Sequence, residues 1–338
     1  MSKRIIFCAD GTWDSPPNQT NVYRLFSAIP VTSNQVRFYD DGVGVDGTPI
    51  EQLAGGAMGD GLFQKIKDGY TNISHVYEQG DEIFLFGFSR GAFTARSLAG
   101  MIATCGVPTA NFDDGMVDVV FNAYRNPGQR AALLASLASY QLAAPIIRMV
   151  GVWDTVGALG IPALVGGVDP VLYGFLDTSL HPDVLNAYHA LAINERRQEF
   201  PPTLWNAPSP PVPGQTLEQV WFAGVHCDVG GGYPETGLSD ITLSWMLGKA
   251  INLGLQVNPH VAAQYTGLGA KYALAQIHES WSILWLFPIT RHIDPESTLS
   301  NSVPIRCQYD GTYRPGNLSL VNGIPAPSYP IEPAVAPV

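Results

Sequence analysis

Five short apolar runs recur along the chain, and stretches with helical spacing lie between them. The runs are RIIFCADG from Arg4, VRFYDDG from Val36, EIFLFGF from Glu82, IIRMVGVWD from Ile146 and LEQVWFAGVH from Leu217. Segments this short and this uniformly apolar read as strands buried on both faces, as in a parallel sheet. The stretches Leu62 to Glu78, Ala92 to Thr104, Pro182 to Glu195 and Ser239 to Asn252 carry the spacing of helices. This alternation predicts an α/β fold with a mostly parallel central sheet and helices on both faces, because parallel neighbours need crossover connections. Such sheets gather ligands beyond the carboxyl ends of their strands, and Asp10, Asp40, Ser89, Asp154 and His226 all fall there. Two stretches, Asn111 to Ala144 and Leu159 to Pro213, break the alternation and are expected as insertions over that edge. The end, NGIPAPSYPIEPAVAPV, is rich in proline, which predicts one domain over residues 1–322 and an extended or disordered tail over 323–338.

The charge balance narrows the partners. With 18 Lys plus Arg against 29 Asp plus Glu, a net charge of −11 and no basic run, neither a nucleic acid nor an anionic lipid surface is an expected electrostatic partner. Any membrane contact is expected to be peripheral and apolar, through IPALVGGVDPVLYGFL from Ile161 or WSILWLFPI from Trp281. Cys8, Cys105, Cys227 and Cys307 are widely separated, so reduced thiols are expected, with no metal site and no cofactor. The apolar run before Asp10 is too short for a signal core, so folding in the cytoplasm is expected, with any export by a route that reads no signal peptide.

GFSRG, from Gly87 to Gly91, matches the GxSxG pattern of a nucleophile elbow and sits where an expected strand meets an expected helix. A serine hydroxyl needs a base and an acid that orients the base. His226 directly follows an apolar strand and opens a glycine-rich loop, so it is the expected base. Asp154, between Ser89 and His226 in the chain and at the end of another strand, is the expected acid. The oxyanion donors are expected from the backbone of Arg90, just after the serine, and of Gly11 or Thr12 in the loop after the first strand.

Taken together, ADGTWD, GFSRGA, GVWDTVG and GVHCDVGGGY resemble the uncharacterised α/β-hydrolase domain family that includes the catalytic part of type VI secretion phospholipase effectors of the first class. The resemblance runs from about Lys3 to Asn252 and implies a lipase-like enzyme with Ser89, Asp154 and His226 as its triad. The function expected is hydrolysis of carboxylic esters, of lipid or simpler kind, through an acyl-serine. The alternatives are a catalytically silent hydrolase fold used as a binding module, and a metal-dependent phosphatase suggested by CADGTWD. In the latter, Cys8 stands where an aspartate nucleophile would be needed.

Overall fold

The computed structural model describes residues 2–11, 16–42, 55–157, 179–282 and 287–336. Strand β1 (Arg4–Ala9), β2 (Gln35–Asp40), β3 (Glu82–Phe88), β4 (Ile146–Trp153), β5 (Asn186–Ala192) and β6 (Thr216–Phe222) are followed near the C-terminus by β7 (Thr298–Ser300) and β8 (Ile331–Glu332). They form one sheet in the order β8-β7-β6-β5-β4-β3-β1-β2, with every neighbouring pair parallel.

Successive residues of the strands feed two cores, as the period of two requires. Ile5, Phe7, Ile83 and Leu85 pack with Ile66 and Tyr70 of helix α2 (Gly55–Val76) and Ala95 and Leu98 of α3 (Arg90–Cys105). Ile6, Cys8, Phe84 and Phe86 pack on the opposite face with Val22 and Leu25 of α1 (Asn21–Ala28). Asn111 to Ala144 supplies α4 (Gly115–Arg125) and α5 (Arg130–Ser136), and Met116, Val117 and Val120 of α4 join the α3 face of the core. Helix α6 (His226–Gly230) follows β6, and α7 (Gly237–Asn252) covers the α1 face with Leu238, Ile241 and Met246. The fold is that of the α/β-hydrolase class, an all-parallel sheet covered on both faces.

One expected helix is a strand. Residues 186–192, NAYHALA, form β5 between β4 and β6 rather than part of a helix over Pro182 to Glu195. Every residue from Ala187 to Ala192 is buried, and a short segment buried on both faces carries no period by which strand and helix can be told apart. The helix preference of Ala and Leu gives way to two ladders of backbone hydrogen bonds. The proline-rich end is extended, and it also packs: Ile331–Glu332 pairs with β7 as the outer strand, and Val335 is buried in the α7 face of the core.

The strand order places the site. From β1 the chain crosses to β2 on one side and then to β3 on the other, so the carboxyl ends of β1 and β3 flank a switch point where a crevice opens.

Candidate active site

At this switch point β3 turns abruptly into α3, and Ser89 is the turn. Its backbone has φ 56° and ψ −121°, a region that non-glycine residues enter at a cost of about 1–3 kcal/mol. The cost is offset by the surroundings: Ser89 N–H donates to the Trp153 carbonyl at 3.0 Å, and its own carbonyl accepts from Phe93 N–H at 3.3 Å and Val156 N–H at 3.4 Å. The flanking glycines are steric requirements. A Cβ on Gly87 would strike the Gly91 carbonyl, and one on Gly91 would strike the carbonyls of Ala9 and Asp10. Only bare backbone lets α3 start so close to the ends of β1 and β3.

Asp154 and His226 arrive from neighbouring strands. Phe88 pairs with Trp153, so Ser89 and Asp154 stand one residue beyond the same rung of the ladder. His226 opens α6 after β6, and its Nδ1 lies 2.6 Å from Asp154 Oδ2. Its ring is bracketed by Phe88, with centroids 4.5 Å apart, and by Phe200 at 5.0 Å. All three residues are buried.

The electrostatics suit a neutral base. Burial raises the Asp154 pKa, but the Arg291 guanidinium and the bond from His226 overcome it and hold the carboxyl well below the usual carboxylate range. Burial pushes His226 down, and the opposing pull of Asp154 only partly restores it. With Asp154 ionised, Nδ1–H of a neutral His226 donates to it, and the Nε2 lone pair is left to accept a proton. The next residue is also fixed, since Thr155 N–H donates to His189 Nε2 at 3.0 Å. Burial, and secondarily Arg96, brings His189 down to about 3, which keeps it a neutral acceptor.

The expected oxyanion donors are less uniform. Arg90 is the first residue of α3, where backbone N–H groups have no acceptor within the helix. Gly11 N–H is turned onto Asp10 Oδ1 at 2.9 Å, an acceptor it would have to leave before it could bind a ligand. Thr12 lies outside the described residues. Cys8 faces the core from β1, and burial, with Asp10 adding to it, pushes its thiol far up, so it is no nucleophile.

Sequence reading missed three partners. Arg291 forks onto Asp154, Nη1 to Oδ1 at 2.7 Å and Nη2 to Oδ2 at 2.9 Å, and also donates to the carbonyls of Ala192 at 2.8 Å and Phe200 at 2.7 Å. Glu195 accepts from His226 N–H at 3.2 Å and from Ser280 Oγ at 2.9 Å. Burial opposes its charge, but Arg197 holds the carboxyl down at about 2. Asp228 caps α6 through Val225 N–H at 3.0 Å and meets His278 Nδ1 at 2.6 Å. No local motif marks Arg291, Ser280 or His278, and each lies far along the chain from the residue it meets.

Comparison with known proteins gives this geometry a family. The chain is 28% identical over 242 residues to Uncharacterized protein YEL023C of Saccharomyces cerevisiae, spanning 62% of this chain and 34% of that one. Among solved structures, an uncharacterized protein from Pseudomonas aeruginosa is 18% identical, with 78% of this chain and 48% of that chain covered and a TM-score of 0.44. The Tle1 effector bound to the VgrG spike of the type VI secretion system is 19% identical, with 69% and 51% covered and a TM-score of 0.36. The butyrate-bound esterase Est2 of Thermogutta terrifontis is 13% identical, with 76% and 85% covered and a TM-score of 0.39. The chain thus spans about a third of the curated relative's length and about half of the first two solved structures. The family model described as "T6SS, Phospholipase effector Tle1-like, catalytic domain" matches residues 3–249, well over half of the sequence, and the chain belongs to that family.

Proposed function

We propose that this chain is a serine hydrolase that cleaves carboxylic esters of lipid-like substrates. The observation that carries the reading is the 2.6 Å contact between His226 and Asp154 at the same sheet edge as a serine held in a strained strand-to-helix turn. Ser89 Oγ attacks the acyl carbonyl while His226 Nε2 takes its proton. Asp154 holds the imidazole in the required tautomer and stabilises the imidazolium as it forms. The oxyanion is met by Arg90 N–H at the start of α3 and by a second donor from the loop after β1, Gly11 or Thr12, with the helix dipole adding to the field. His226 then returns the proton to the leaving alcohol, and water, activated by the same imidazole, releases the acid from the acyl-serine. Membership of a phospholipase effector family supports a lipid ester as the substrate.

A fluorophosphonate probe tests the reading directly. It is expected to label the full-length protein once, at Ser89, and to label neither Ser89→Ala nor the denatured chain. Parallel turnover of p-nitrophenyl esters of rising chain length and of phospholipid vesicles separates esterase from phospholipase. Labelling that persists in Ser89→Ala would move the nucleophile elsewhere.

A further inference from the structure

A cavity of about 410 Å³ lies along α3, at the lower end of the size that small-molecule pockets take. Arg96 of α3 lies on one wall, and Arg130, the first residue of α5, on another. The guanidinium of Arg96 stacks 4.2 Å over the Trp205 ring and donates to the carbonyls of Thr203 and Leu204. Arg130 donates to the carbonyls of Ala123 at 3.1 Å and Tyr124 at 3.2 Å, wrapping the end of α4.

Neither arginine meets a carboxylate among the described residues. Other arginines close to the core do: Arg291 has Asp154, Arg197 has Glu195 and Arg24 has Asp240. Two guanidiniums left to carbonyls, in a chain whose net charge is −11, hold a local positive field that no carboxylate among the described residues meets. Carbonyls use only part of a guanidinium's five donors, and the planar fork matches carboxylate and phosphate oxygens. Burial draws Arg96 down to about 9, the sign of a cation short of solvent. The lining also includes Pro127 and Pro182, exposed apolar side chains that a ligand can reach.

We propose that this cavity binds a small anionic amphiphile, its phosphate between Arg96 and Arg130 and its short apolar part against Pro127 and Pro182. Phosphate is favoured over carboxylate because its three terminal oxygens can meet two forks at once. Arg96 lies seven residues after Ser89, about 10 Å farther along the axis of α3, and none of Ser89, Asp154 and His226 lines the cavity. The site is therefore separate from the serine, and binding there stands whether or not Ser89 is a nucleophile.

Calorimetric titration of the full-length protein with octyl phosphate below its micelle threshold, inorganic phosphate and octanol tests the proposal. Octyl phosphate is expected to bind saturably, with the other two at least about tenfold weaker. Arg96→Gln and Arg130→Gln are each expected to weaken it by about tenfold or more, and raised salt to weaken it in the wild type. Inorganic phosphate binding as tightly as octyl phosphate would make this a free-oxyanion site and overturn the amphiphile assignment. Octanol binding equally well would overturn the role of charge, and affinity unchanged in both arginine variants would place the ligand elsewhere. Because Arg96 also pins the Thr203 segment, thermal melts accompany each variant. If Arg96→Gln unfolds, Arg96→Lys and Arg130→Gln carry the test, with Lys retaining charge but losing the fork and so binding more weakly than the wild type.

Discussion

Replacing Arg291 by Met removes the guanidinium that forks onto Asp154 while keeping much of its volume. Four hydrogen bonds of 2.7–2.9 Å disappear, two to the carboxylate and two to the carbonyls of Ala192 and Phe200. Breaking a buried ion pair by deleting one partner costs about 3–5 kcal/mol, because the other charge stays buried without its counterion. At about 2.1 cal/mol/K of unfolding entropy per residue, a chain of 338 residues turns that into a fall in Tm of roughly 4–7 °C. The Asp154 pKa is depressed in the folded protein, so the pair's contribution is present above the ordinary carboxylate pKa and is lost as pH falls through the folded value. The gap between wild type and variant is thus widest near neutral pH and narrows on acidification below about pH 4. Activity carries the more diagnostic signal. Without Arg291, protonated His226 becomes the main counterion of Asp154, so its pKa rises and the acid limb of kcat/KM against pH moves to higher pH. Thermal melts across pH, with the pH profile of p-nitrophenyl butyrate hydrolysis measured on the folded variant, read both effects. A lower Tm with an unmoved acid limb would show that Arg291 braces the fold without tuning the base, and the electrostatic reasoning would be wrong.

Other outcomes follow from the same geometry. His226→Ala is expected to lower kcat by roughly four to six orders of magnitude with the fold retained, as read by ester turnover and circular dichroism, and a variant keeping more than about a tenth of the activity would remove His226 as the base. Gly91→Ala drives a methyl into the carbonyls of Ala9 and Asp10, so a loss of about 3 kcal/mol or more, or failure to fold, is expected in denaturant titrations; a variant as stable as the wild type would refute the close crossing. Phe287 is 74% exposed at the end of an apolar run, so a jump in activity on long-chain esters at the micelle threshold is expected to shrink in Phe287→Ser, while smooth saturation in both proteins would reject an apolar lipid contact there.

The parts of the candidate site that are legible in the sequence are those whose features lie close together along the chain. GFSRG announces itself because the strand, the turn and the helix are contiguous, and the crowding of Gly87 against Gly91 is a relation over four residues. His226 and Asp154 stand out because each ends an apolar strand, where a polar side chain has few structural reasons to be. What escaped was decided at long range. NAYHALA reads as helix until β4 and β6 claim both its edges. Arg291 pairs with a residue 137 positions away, and no periodicity encodes such a pairing. The segment Ile161 to Leu176, expected to reach a lipid surface, lies outside the described residues.

The family match ends at residue 249, yet the site is completed by side chains beyond it. Arg291 reaches back to Asp154, His278 to Asp228 and Ser280 to Glu195, so the Asp154 carboxylate, the cap of the helix that carries His226 and the acceptor of the His226 N–H are each held from later in the chain. A chain cut at the match boundary would keep Ser89, Asp154 and His226 but leave the buried Asp154 charge without the Arg291 guanidinium. Buried carboxylates deprived of a guanidinium either take up protons or open their surroundings to water, and either outcome degrades the tautomer control that the imidazole needs. The described C-terminal residues therefore act on the candidate site through charge and hydrogen bonding with Asp154, Glu195 and Asp228.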